Sequence, residues 1–274
     1  SAALIGAAST ALLLPRLSAA QGSKIKVGLM LPYTGTFAQL GVAIENGFRL
    51  AIDEQGGKLG GREIEFFKVD DESDPPKGVE NANKLVLRDK VDVLVGTVHS
   101  GVQMGIQKVA RDTGVLNIIP NAGVLAATGP LCAPNVFRTS FSNSQPTLAL
   151  GAPMVARGHK KAVWITWKYA AGDEAFQGFR DSFLKAGGTI VKEIALPFPN
   201  VEFQAHLTEI ASLNPDAVAC FFAGGGAVKF IKDYAAAGLK GKIPLYGSGF
   251  LTEGVLDAAG PAADGVITTM HYAD

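Results

Sequence analysis

Apolar positions along this chain fall into two alternating patterns, short continuous runs and longer stretches with helical spacing. Val27 to Leu31 is a short, nearly continuous apolar run, the pattern of a strand covered on both faces in a parallel sheet. After it, Leu40, Ile44, Phe48 and Ile52 recur every four residues, with Ala43, Gly47 and Ala51 on the same stripe. That spacing predicts an amphipathic helix whose small residues let it lie close against a sheet. Its opposite face carries Glu45, Asn46, Arg49 and Asp53, and Gly56-Gly57 ends it. Between strand and helix, Pro32 and Gly35 stop regular structure in a loop that holds Tyr33, Thr34, Thr36 and Phe37. Such a loop, at the carboxyl end of a buried strand, is where open α/β sheets bind ligands.

The alternation continues. Strands are predicted over Glu63–Val69, Val91–Gly96, Leu116–Ile119 and Val136–Ser140, with Asp74 as N-cap and Pro75 at the first position of a helix bearing Val79, Ala82 and Val86. A further helix is predicted over Val102–Thr113. The pattern restarts near Ser140–Gln145 with a helix over Gln145–Arg157, strand Ala162–Trp167, helix Glu174–Ala186 and strand Thr189–Leu196. Helix Phe203–Leu213, strand Ala217–Phe222, helix Ala227–Ala237, strand Ile243–Tyr246, a short helix Thr252–Ala259 and strand Gly265–Met270 complete it. Strands alternating with helices at this spacing mean parallel sheets with right-handed crossovers. The restart without a Gly/Ser linker predicts two α/β lobes, residues 23–140 and 141–270, each a doubly wound parallel sheet, meeting across a hinge with their loop-bearing ends face to face. A single sheet of about ten strands is the alternative, a size that is uncommon.

Composition narrows the function classes. The chain has 274 residues, 47% of them apolar, and 25 basic residues balance 25 acidic ones. With no Lys/Arg cluster, nucleic acid and anionic membranes are poor partners. Residues 1–22 read as the remnant of an export signal: Ala2–Leu14 has the length of a signal-peptide core, and Ser18-Ala19-Ala20 resembles a cleavage site. Export is therefore expected. Cys132 sits in a Pro/Gly loop and Cys220 in a strand-like run, so a disulfide between them is not expected, and no His spacing completes a zinc site.

Three loops of the first half converge if the sheet is parallel: 32–38, 97–101 (TVHSG) and 120–123 (PNAG). In TVHSG a hydroxyl and an imidazole, Ser100 and His99, stand just before a helix, where free N–H groups favour an anion. Ser100 also reads as the cap of that helix. A Ser–His nucleophile is disfavoured, because adjacent loop residues do not set up that geometry and no G-x-S-x-G elbow is present. In the acidic run 70–74, Asp74 serves as a cap and the other acids read as solvated loop charges, so no metal site is expected. The glycine runs at 56–61 and 223–226 lack both nucleotide-binding signatures, and no cofactor is expected. In the second half the matching loops are 167–173, 222–226 and 247–251; Trp164 and Phe221 read as core, Tyr169 and Phe250 as walls of a cleft.

The run from Lys26 (KVGLMLPYTGTFAQLG) to Gly96 resembles the periplasmic solute-binding proteins of branched-chain amino acid ABC transporters. The likeness continues through FRTS (137–140), YAAGDEAFQGF (169–179), PDAV (215–218) and GLKGKIPLYG (238–247). The resemblance implies two hinged lobes, joined by three crossing segments, that close over a small ligand and dock, as a monomer, on a membrane permease. Carried over by position, Ser100 matches the residue whose hydroxyl and N–H hold a ligand carboxylate. Asn121 and Gly123, flanking Ala122, match two further carboxylate contacts, with the family's Thr replaced by Gly123. The Glu that receives the ligand's ammonium aligns with Ser248, and a family Tyr falls in the glycine stretch around Gly224–Gly226, where none remains. The carboxylate end is thus partly kept and the ammonium end stripped, which favours a carboxylate without an amino group, such as an aromatic acid. Amino acids or amides are the alternative ligands, and a ligand-sensing receptor domain on the same fold is the rival function. A DNA-binding regulator would need a helix-turn-helix before Lys24. An enzyme would need a base, nucleophile or cofactor loop, and none is found. Residues 271–274 read as the start of a return crossing between lobes, as in a chain that continues further.

Overall fold

The structure is a computed structural model that describes residues 23–272; the expected export signal and residues 273 and 274 lie outside the described residues. The first lobe runs β1 (Ile25–Leu31), α1 (Ala38–Asp53), β2 (Lys58–Leu59), β3 (Arg62–Asp70), α2 (Pro75–Asn83), β4 (Val93–Val95), α3 (Ser100–Thr113), β5 (Leu116–Ile119), α4 (Leu125–Thr128) and β6 (Val136–Arg138). Its sheet has the order β2-β3-β1-β4-β5-β6, parallel except for the two-residue β2, which pairs antiparallel with β3. The second lobe runs α5 (Ser144–Leu148), α6 (Gly151–Ala156), β7 (Lys161–Lys168), α7 (Ala170–Lys185), β8 (Thr189–Pro197), α8 (Gln204–Leu213), β9 (Ala217–Phe221), α9 (Gly224–Ala236), β10 (Leu245–Ser248), α10 (Leu256–Ala259) and β11 (Ile267–Thr269). Its sheet, order β11-β10-β9-β7-β8, is parallel throughout. The arrangement is two doubly wound lobes, and the single ten-strand sheet is excluded.

Both lobes reverse their winding at one point. In the first, β3 lies on one side of β1 and β4 on the other; in the second, β8 and β9 flank β7 in the same way. At such a switch point the loops leave the strands in opposite directions and open a crevice at the carboxyl ends. The chain passes from one sheet to the other through residues 139–143.

Local chemistry explains most boundaries. Asp74 caps α2 by accepting the Lys77 N–H, with Pro75 in the first turn, and Gly114 ends α3 at φ 78°, a backbone that glycine adopts without strain. The single helix predicted over 145–157 is two, because α6 restarts at Gly151, where a Cβ would stand 2.3 Å from the Phe183 backbone nitrogen on α7. α7 starts at Ala170, four residues before its predicted start, and α9 starts at Gly224 rather than Ala227. β10 is displaced two residues toward the C-terminus, so Ser248 belongs to the strand, and the helix predicted over 252–259 shortens to α10.

The lobes fill their cores differently. One continuous apolar cluster runs through the second lobe, with Trp164 of β7 stacked on Phe179 of α7 at 5.1 Å. The first lobe has three smaller clusters on the two faces of its sheet. Among the described residues no helix is long and apolar enough to cross a membrane.

Candidate functional site

The two switch points face each other. Between them lies a cavity lined by Phe37 and Leu40 after β1, Val98 after β4, Asn121 after β5, and Phe141 and Asn143 on the crossing. The second lobe adds Tyr169 and Ala171 after β7, Phe221 and Ala223 at the end of β9, and Phe250 after β10. No ionisable acid or base other than the Tyr169 phenol lines it, and burial pushes that phenol's pKa up. The cavity volume is about 20 Å³, room for little more than one water.

Its polar corner is Asn121 and Asn143, backed by the start of α3, whose His99 and Ser100 do not themselves line the cavity. His99, not Ser100, is the N-cap: its Nδ1 accepts the N–H groups of Gly101 (3.1 Å) and Val102 (3.3 Å). Burial lowers the His99 pKa to about 4, so the ring is neutral at physiological pH and its proton sits on Nε2. Relieved of capping, the buried Ser100 hydroxyl accepts the Asn143 Nδ2–H at 3.1 Å. The crossing is tied to the PNAG loop, with Asn143 N–H donating to Gly123 O (2.8 Å) and the Ser140 hydroxyl to Asn121 O (3.3 Å).

The lobes meet around this corner. The His99 ring stacks on Tyr169 at 4.7 Å, and Phe198, in the segment after β8, packs on Phe37, His99, Trp167 and Tyr169 at 4.7–5.3 Å. Thr36 of the first lobe accepts two N–H groups from the start of α9, Gly225 to its carbonyl and Gly226 to its hydroxyl, both at 2.9 Å. Gly224, at φ 58°, allows this approach: a Cβ there would lie 2.1 Å from the Thr36 carbonyl oxygen.

Several residues singled out in the sequence stand elsewhere. Tyr33 does not line the cavity; its ring lies over the Lys68 ammonium, 3.8 Å from the ring centroid. Ser248 is fully buried, its hydroxyl without a hydrogen-bond partner, and Phe250, two residues on, faces the cavity instead. At Gly123 a Cβ would stand 2.5 Å from Asn143 Oδ1, so the crossing fills the space a Thr would need. At Gly226 the Trp167 indole fills the space of a side chain, 2.4 Å from the Cβ position. Phe221, read as core, reaches the cavity. The acidic run is also corrected: Asp71 is buried, bonded to the Thr97 hydroxyl and the Ser73 N–H, and burial raises its pKa. Asp70 accepts from the Tyr33 N–H and the Thr34 hydroxyl. Both acids brace loops rather than standing in solvent.

Phe141 and Asn143 were hidden in the sequence because SFSNSQPT reads only as a crossing, and Phe198 because it lies in a proline-rich stretch with no periodicity. Cys132 is exposed and Cys220 buried, both free. Among the described residues no three His, Cys, Asp or Glu side chains gather as metal ligands would.

Comparison with known proteins agrees with this architecture. The sequence profile of the periplasmic binding proteins matches residues 24–274. A Leu/Ile/Val-binding protein homolog of Brucella melitensis is 31% identical over 260 residues, 93% of this chain and 66% of that protein. The chain thus spans just under two thirds of that relative's length. The crystal structure of an R. palustris ABC transporter solute-binding protein in complex with benzoate is 59% identical, with a TM-score of 0.86 over 89% of this chain and 67% of its own. That of another solute-binding protein, from Rhodopseudomonas palustris BisB5 in complex with 3,4-dihydroxybenzoic acid, is 32% identical with a TM-score of 0.86, covering 91% and 69% of the two chains. Two switch points closing on one cavity, and a profile that matches nearly the whole chain, place this protein in the periplasmic binding protein family.

Proposed function

We propose that this protein captures a small aromatic carboxylate between its lobes and delivers it to the permease of an ABC importer, without making or breaking a bond. The observation that carries this reading is the lining: five rings, Phe37, Phe141, Tyr169, Phe221 and Phe250, with the amides of Asn121 and Asn143 and no acid. Aromatic faces and edges suit a planar ring. Ser100 and Asn121 supply donors for a carboxylate at the polar corner, while both amide hydrogens of Asn143 are held by Ser100 and Glu174. The ammonium of an α-amino acid would be desolvated with no anionic partner, a cost of several kcal/mol. The benzoate and dihydroxybenzoate bound by the two R. palustris proteins support the same ligand class.

The name of the Brucella relative favours a second reading, leucine, isoleucine or valine as ligand. Thermal-shift and titration calorimetry on the full-length protein separate the two. Benzoate or 4-hydroxybenzoate is expected to raise the melting temperature and bind one to one, with leucine inert at the same concentration. Stoichiometric leucine binding with no response to either benzoate overturns the reading.

A further inference from the structure

A chain of polar contacts leaves the ligand corner and ends on a carboxylate that the binding proposal does not use. Ser100 Oγ accepts one hydrogen of the Asn143 amide, and Glu174 Oε2 accepts from the same Nδ2 at 2.8 Å. Both amide hydrogens are then committed, and the asparagine cannot rotate without losing one bond. Both oxygens of Glu174 also lie 3.0 Å from the Leu125 N–H, which opens α4 and has no partner within that helix. Arg138, whose Nη1 donates to Val124 O at 2.9 Å, adds an attractive charge to the carboxylate.

The connectivity gives these bonds a direction. Glu174 lies on α7 of the second lobe; Leu125 and Ser100 belong to the first; Asn143 sits on the crossing between them. Swinging α7 away from α4 breaks the Glu174–Leu125 contact and withdraws the acceptor that orients Asn143. Because Ser100 accepts from Asn143, that bond leaves its own proton available to a ligand carboxylate. We infer that Glu174 is a closure clasp, a positioning residue that fastens the lobes through the Leu125 N–H and aims the Ser100 hydroxyl through Asn143. Recognition of a carboxylate and closure of the lobes then reinforce each other through one hydrogen-bond chain. Only the ligand arm of the test rests on the aromatic-carboxylate reading.

The test uses the full-length protein with Cys132→Ser and one dye on each lobe, at Glu54→Cys and Lys185→Cys, both exposed positions. Interlobe separation is read by energy transfer with and without benzoate, beside calorimetry and melting. Glu174→Ala is expected to lengthen the ligand-free separation and to weaken benzoate by about 10- to 100-fold, since bonds to a charged group are lost. Glu174→Gln, which still accepts from Asn143 through its amide oxygen, should weaken benzoate by about 3- to 10-fold. A purely structural role would lower the melting temperature alone. Separation and benzoate affinity both unchanged in Glu174→Ala overturn the clasp. Should the wild type fail to bind benzoate, the aromatic-carboxylate reading falls, and the ligand-free separation alone decides the clasp, an unchanged value overturning it.

Discussion

The two lobes wind their strands in the same order, β3-β1-β4-β5-β6 beside β8-β7-β9-β10-β11, and yet bury opposite chemistry. The first lobe buries Asp71, Thr97, His99, Ser100, Gln103, Gln107 and Asn117. They are cross-linked: Gln103 Nε2 donates to Asn117 Oδ1 at 2.8 Å, Asn117 Nδ2 to Leu94 O at 3.2 Å, and the Thr97 hydroxyl to Asp71. The second lobe is a single apolar mass in which nine aromatic side chains, among them Trp164, Trp167, Tyr246 and Phe179, are almost fully buried. One topology therefore supports two roles. A braced polar lobe holds hydrogen-bond donors at fixed positions, and a densely packed apolar lobe presents rings to cover them.

The largest expected effect tests the apolar lobe. Phe179 packs on Trp164 and on Phe183, at 5.1 and 5.0 Å, and Phe179→Ala should cost about 3–5 kcal/mol by urea unfolding. A loss under about 1 kcal/mol would deny that this core is tightly packed.

His99 tests the polar lobe. Its folded pKa of about 4 lies below the unfolded value, so between pH 6.5 and 4 the unfolded chain binds the extra proton. Stability therefore falls as pH drops through that window, by about 3 kcal/mol in total. His99→Asn keeps a capping side chain and should lose that much less than wild type between pH 7 and pH 4. Equal acid losses in the two proteins would remove the buried neutral imidazole from the account.

Ser100→Ala should weaken benzoate by about 1–3 kcal/mol, because a desolvated carboxylate loses a donor; calorimetry showing wild-type affinity would take Ser100 out of the site. The smallest effect belongs to the seam between lobes. Thr36→Val removes the acceptor for the Gly226 N–H while keeping the shape, and should cost about 1 kcal/mol of ligand affinity. No change would mean that this bond is as well made to water in the open state.

The sequence displayed the winding because each buried strand leaves a short apolar run and each covering helix a stripe of period near four. Those signals are local, and both lobes carried them. Residues placed by contacts distant in sequence were not legible. The helix break at Gly151 comes from the close passage of α7, and the burial of Asp71 from Thr97 in the loop after β4. Of the site, Asn121, Tyr169 and Phe250 were readable as residues just past strand ends, where they line the cavity. The exchange of roles between His99 and Ser100 was not readable, since either side chain can cap a helix and only the ring's orientation decides. Tyr33 misled for a related reason: a loop residue can turn away from the cavity, and its half-buried ring lies beside the Lys68 ammonium instead.

The seam between the lobes also governs time. With Phe37, His99, Tyr169 and Phe198 interleaved across it and Thr36 fastened to α9, and with room between them for little more than one water, the cavity takes a benzene ring only when these rings part. A molecule seated there leaves only as often as the lobes separate, so its residence time is the lifetime of the closed state. Arrival is governed separately, by the fraction of molecules standing open. Substitutions at the seam should then change dissociation and association rates by different factors, while those confined to the floor of the cavity change dissociation almost alone.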